Sequence, residues 1–138
     1  MNSRQWMTWQ HHKVLLAIER CRTDFGVEIV VDPSQTIRRN GMATSHYAVG
    51  KIQYSASPED DGVIIYLKPT LVSGDPADVL GYPAINPSFP DDTTANQWFD
   101  EAHFENYRAL GEVSGIEAES AIREAVNRLL TQPNPISG

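Results

Sequence analysis

From residue 5 to residue 24, apolar side chains recur at roughly helical intervals. Trp6, Trp9, Leu15 or Leu16, and Ile18 form a stripe, with Glu19, Arg20 and Arg22 polar. That period predicts a helix, and Gly26 after Phe25 predicts its stop. Val27–Val31 is rich in β-branched residues and reads as a strand. Asp32-Pro33-Ser34 closes it, because proline cannot donate to a ladder. Residues 33–44 read as a loop with Asn40-Gly41 as a turn. From His46 to Tyr54 the pattern changes to a period of two: Tyr47, Val49 and Lys51 point one way, Ala48, Gly50, Ile52 and Tyr54 the other. A polar turn over Ser55–Gly62 then leads into Val63–Lys68, the most apolar run, which is expected to be the central strand and the second arm of a hairpin.

Beyond Pro69 the chain becomes rich in Gly, Pro, Asp and Ser up to residue 93. One helical turn is expected at Pro76–Leu80, with Asp75 as cap and Pro76 at the first helical position. A loop this long inside one domain is functional or packed as an ordered excursion. Thr94-Ala95-Asn96-Gln97 has capping-box spacing and predicts a helix to about Leu110, ended by Gly111. Ile116, Ile122, Val126, Leu129 and Leu130 predict a further helix over 116–130. The expected architecture is α+β: a small antiparallel sheet of about three strands, packed against an N-terminal helix and two C-terminal helices. Residues 1–131 read as one domain and 132–138 as a flexible tail.

Composition narrows the function classes. The chain has 138 residues and a net charge of −7. Residues 1–69 carry a net +1 and residues 70–138 a net −8. An acidic half repels phosphate, so nucleic-acid binding is not expected. The longest wholly apolar runs are five residues, Val14–Ile18 and Val63–Leu67, against about 20 needed for a membrane span. Trp6 and Trp9, one turn apart, read as part of a packed stripe rather than a membrane-interface anchor. Cys21 is the single cysteine, so no intramolecular disulfide can form, and it reads as a buried thiol of the predicted helix in a reducing compartment. The expected location is cytoplasmic, or peripheral to the inner membrane through a partner.

Catalytic signatures are incomplete. Gly111-Glu112-Val113-Ser114-Gly115 has the wrong spacing for a nucleophile elbow, and no phosphate-binding glycine loop is present. The histidines are His11, His12, His46 and His103, and they lack zinc spacing. Asp100 and His103 share a helix face, which reads as a surface ion pair. Asp91 and Asp92 precede a predicted helix start, where the dipole favours negative charge. No catalytic residue, metal or cofactor is expected.

Several strings between Tyr47 and Gly111 belong together. They are Tyr47-x-Val49-Gly50-x-Ile52-x-Tyr54, Ile65-Tyr66-Leu67-Lys68-Pro69-Thr70-Leu71 and Gly74-Asp75-x-Ala77-Asp78-Val79. Asn86-Pro87-x-Phe89-Pro90 follows, and then Thr93 to Gly111 with Phe99-Asp100-Glu101 and Tyr107-Arg108-x-Leu110-Gly111. This half of the chain resembles the C-terminal accessory segment of large bacterial patatin-like phospholipase proteins, outside their catalytic domain. The hydrolase dyad of that family does not carry over, since Asp61-Gly62 is followed by Val63. Where that segment often has a His-Glu pair after Phe-Pro, this chain has Asp91-Asp92.

The resemblance and the missing catalytic set together imply a non-catalytic interaction or regulatory module. It would dock on a partner protein of phospholipase type or on a membrane-associated effector. The expected partner-binding residues are Asp91, Asp92, Asp100, Glu101, Glu105 and Tyr107. The alternative is a small-ligand sensor that holds a nucleotide or anionic lipid head group through Arg38, Arg39 and Lys68. A hydrolase using Asp75, Asp78, Asp100 and His103 is the weakest reading. A homodimer would add burial to so small a sheet. Lys68 on a strand needs a carboxylate partner if buried, and Asp75 and Asp78 are the candidates.

Overall fold

The computed structural model describes residues 12–93 and 95–131. Helix α1 spans His12–Phe25. It ends where expected: Gly26 takes φ +66° and its N–H bonds Arg22 O at 3.1 Å, a left-handed cap that glycine enters without steric cost. The expected helix from residue 5 falls partly outside the described residues, as do Trp6, Trp9 and the 132–138 tail. No described residue of α1 is buried, and Cys21, expected to be, is only half-buried, because the helix lies against one strand, tied to it by Arg22–Glu28 at 2.5 Å.

Strands β1 (Glu28–Val31), β2 (Tyr47–Gln53) and β3 (Gly62–Leu67) form an antiparallel sheet in the order β1-β2-β3. The central strand is therefore β2, and the more apolar β3 is an edge strand. Its apolar run reflects cover by a helix on its face, not a strand on either side. Tyr47 pairs with Leu67 and Ile52 with Gly62, while Glu28 to Val31 pair with Gln53 to Gly50. The period-two reading of β2 holds: Ala48 is buried while Val49 and Lys51 are exposed. At Gly50 the strands approach so closely that a Cβ would stand 2.4 Å from Val30 O. Asn40 and Gly41 both take positive φ, and Arg39 bridges Met42 across the turn.

The 70–93 excursion holds the apolar core. Helix α2 is a single turn, Ala77–Gly81, with Pro76 preceding it and no side-chain cap; Asp75 points elsewhere. Leu71, Val79, Tyr82 and Phe89 from the excursion close on Leu110, with Leu80, Tyr107 and Ala109 around them. Tyr82 meets Phe89 edge-on at 5.1 Å. The Phe89–Pro90 peptide is cis.

The two expected C-terminal helices are one, α3, Glu101–Thr131. At 31 residues it is roughly 46 Å long. Its start also differs from the expectation. Asp100, not Thr94, is the cap, and its Oδ1 accepts the His103 N–H at 2.7 Å. The helix runs through Gly111 and Gly115 because its packed face does: His103, Leu110, Ser114 and Ala118 are buried at seven- and four-residue intervals, on one face that spans the glycines. Such tertiary burial outweighs the weak propensity of two glycines.

Nothing lies within 4 Å of a Cβ built on Gly111 or Gly115. Gly111→Ala and Gly115→Ala should each raise unfolding stability by about 1 kcal/mol. Gly50→Ala should lower it, because the β1–β2 approach would have to open. Urea titration of the three variants checks both signs.

Candidate functional site

Three polar clusters, two centred on a carboxylate and one on an imidazole, join the excursion to the rest of the chain. The first is centred on Asp91. Lys68 donates to it from the end of β3, with Nζ 3.1 Å from Oδ1, and Arg38 donates to Oδ2. Lys68 is almost fully buried, so it needs this partner. Its partner is neither Asp75 nor Asp78, the expected candidates. Two of the three residues expected to bind an anion are thus drawn to a carboxylate of the chain itself. Arg39 lies apart, exposed in the Asn40-Gly41 turn.

The second cluster is centred on Asp92, whose side chain is 5% exposed. It accepts from Ser88 Oγ at 2.5 Å, Tyr107 Oη at 2.7 Å, His103 Nε2 at 2.9 Å and Asn96 Nδ2 at 3.4 Å. Burial pushes the carboxyl up, but these four hydrogen bonds outweigh it and hold the group down at about 2. The Tyr107 hydroxyl moves the opposite way, well above its ordinary value, through burial and its bond to Asp92. Asn86 Nδ2 lies 3.0 Å from His103 Nδ1 and donates to it, which leaves the Nε2–H for Asp92. Phe99 stands edge-on to the His103 ring at 4.4 Å, and Tyr107 stacks on it at 5.3 Å.

The third cluster is centred on His46, just before β2. Its Nε2 lies 3.0 Å from Asp75 Oδ1, and its Nδ1 bonds Glu117 on α3. Ser45 Oγ donates to Glu117 at 3.0 Å, and Val72 N–H donates to Asp75 at 2.8 Å. Burial pushes the Glu117 carboxyl up, yet the bonds from His46 and Ser45 bring it below its ordinary value.

Beside the Asp92 cluster lies an open cleft of about 590 Å³, lined by Pro69, Pro90, Phe99, Phe104 and Tyr107 together with Asp92. Phe104 is 66% exposed and Trp98, close by, 92%. Of the residues expected to bind a partner, Asp92 and Tyr107 line this cleft. Asp100, Glu101 and Glu105 are exposed on the first turns of α3 and just before them. Glu105 also pairs with Arg108 at 2.6 Å. Asp91 belongs to the Lys68 cluster. A second cleft of about 270 Å³ lies between the sheet and α3, flanked by Lys51 and Arg128.

The residues of the weakest, hydrolytic reading do not form one cluster: Asp75 faces His46, while His103 faces Asp92. Among the described residues no group of three or more His, Cys, Asp or Glu side chains is placed to hold a metal ion. No described helix is long and apolar enough to cross a membrane. Sequence reasoning passed over His46, Glu117, Asn86 and Ser88. The available signal was Glu117, a charge in register with the buried positions of α3 once residues 101–131 are read as one helix.

No protein-family model, curated protein or solved structure matches the chain.

Asp92 titrates below the ordinary value of 3.8, so the stability it contributes is complete above about pH 4 and is lost as pH falls through 2. That contribution is about 2 kcal/mol. Asp92→Asn should therefore be less stable than wild type at neutral pH by about that amount. The gap should close between pH 4 and pH 2, as read by denaturant unfolding at each pH.

Proposed function

We propose that this protein is a non-catalytic docking module, and that its contact surface is the aromatic cleft together with the acidic first turns of α3. The observation that carries this reading is the exposure of large apolar side chains at one cleft, Phe99 and Phe104 beside half-buried Tyr107, with Trp98, next to Phe99 in the chain, exposed as well. Monomers seldom leave such a cluster in water unless something covers it. Aromatic anchors with a polar rim are the usual make-up of a protein contact.

The chemistry of the Asp92 cluster supports the same reading. Both ring nitrogens of His103 are engaged, and the Tyr107 hydroxyl donates to Asp92. A group so engaged is poorly placed to act as general base. The cluster instead fixes the cleft wall in place. The resemblance of residues 47–111 to a phospholipase accessory segment makes a phospholipase-type or membrane-associated protein the partner we would test first. The small-ligand sensor is the weaker reading, since Arg38 and Lys68 both donate to Asp91.

Trp98→Ala combined with Phe104→Ala should reduce recovery of the co-purifying partner from source-cell lysate at least tenfold. The melting temperature should stay within a few degrees of wild type, because both side chains are exposed. Unchanged recovery by the double variant would contradict this placement.

A further inference from the structure

Asp92 puts a full negative charge in the lining of the cleft, and among the described residues no ion pair joins it to a lysine or arginine. Its donors are two hydroxyls, an amide and an imidazole N–H. The nearby cations, Lys68 and Arg38, go to Asp91 instead. The rings of Phe99, Phe104 and Tyr107 line the same cleft as this buried carboxylate. Asp100 and Glu101 add exposed charge of the same sign at the start of α3.

An aromatic face attracts a cation through its quadrupole, and a carboxylate shielded from water attracts it through a weakened dielectric. Both act in the same direction here. An anion would be repelled by the same groups. A second copy of this chain is a poor occupant, because it brings a net charge of −7. At about 590 Å³ the cleft is larger than one side chain fills, so it accommodates a short stretch of chain.

We propose that the cleft docks an extended peptide segment of the partner, anchored by a lysine or arginine laid over Phe104 and Tyr107 toward Asp92. This deepens the docking reading above by naming the chemistry of the partner's contact. Electrostatic attraction of this kind steers encounter and selects against acidic partners.

The test uses the full chain and fluorescein-labelled decapeptides, read by fluorescence anisotropy. One pool carries Lys or Arg at two positions among neutral residues; a second carries Glu at the same positions. The basic pool should bind, the acidic pool should bind at least tenfold more weakly, and added salt should weaken the basic pool. Phe104→Ala and, independently, Glu101→Lys should each weaken the basic pool severalfold, with circular dichroism confirming that both fold. The proposal is overturned if neither pool binds, if both bind alike, or if Phe104→Ala binds the basic pool as wild type does. Lysine amide or arginine amide alone binding as tightly as the peptide would overturn the segment in favour of a small cation.

Failure of the two readings is distinguishable. If the partner is lost with the Trp98/Phe104 double variant while basic peptides do not bind, docking stands and the cationic anchor falls. If the partner is retained while Phe104→Ala loses the peptide, the docking reading falls and the anchor stands.

Discussion

A single imidazole holds three stretches of this chain together. His46, at the entrance to β2, bonds Asp75 in the excursion with one nitrogen and Glu117 in the middle of α3 with the other. The ring is 2% exposed. Asp75, whose side chain is 1% exposed, would cost several kcal/mol if left unpaired and is paired by this ring, while Glu117 keeps about a third of its side chain in water. With α3 held against the sheet at Glu117, Leu110 comes down on the excursion's apolar residues, and His103 and Tyr107 reach Asp92. The cleft wall is the far end of this arrangement.

The fold relies on such pairs because its apolar core is small. The sheet has three strands, and α1 buries none of its described residues. Five residues form the central apolar cluster, four of them from the excursion. Much of the remaining apolar surface faces outward, including Phe104, Ile122, Val126 and Leu129 along α3. Buried polar groups are costly when unmatched and highly specific when matched. Here they select one placement of the excursion, which apolar contact alone would leave free to slide.

Local chemistry was readable where one short rule decided the outcome. The left-handed glycine ends α1, alternation sets the faces of β2, and Asn40-Gly41 makes its turn. The α+β class followed from these elements. The reading failed where distant burial outweighed a local rule. Gly111 is a good stop signal, but Leu110, Ser114 and Ala118 form one buried face across it, so the helix continues. β3 looks central because it is apolar, yet it pairs on one side only. For the site, Asp92 and Tyr107 were singled out, but the reason they matter was not legible. It lies in Ser88, Asn96 and His103 meeting them in space, at separations from 4 to 15 residues. Lys68 needed a carboxylate by elementary reasoning; which one depended on the path of a 22-residue connection.

The excursion is the core of this protein and not an appendage to its sheet. Native-state hydrogen exchange tests it directly through the amides of Leu80, Asn86 and Phe89, which bond Pro76 O, Tyr82 O and Asn86 O within the excursion. They should exchange only through global unfolding, with the same free energy and denaturant slope as the β2 amides. Exchange of these amides at markedly lower free energy than β2, insensitive to denaturant, would show an excursion that opens on its own and would contradict it.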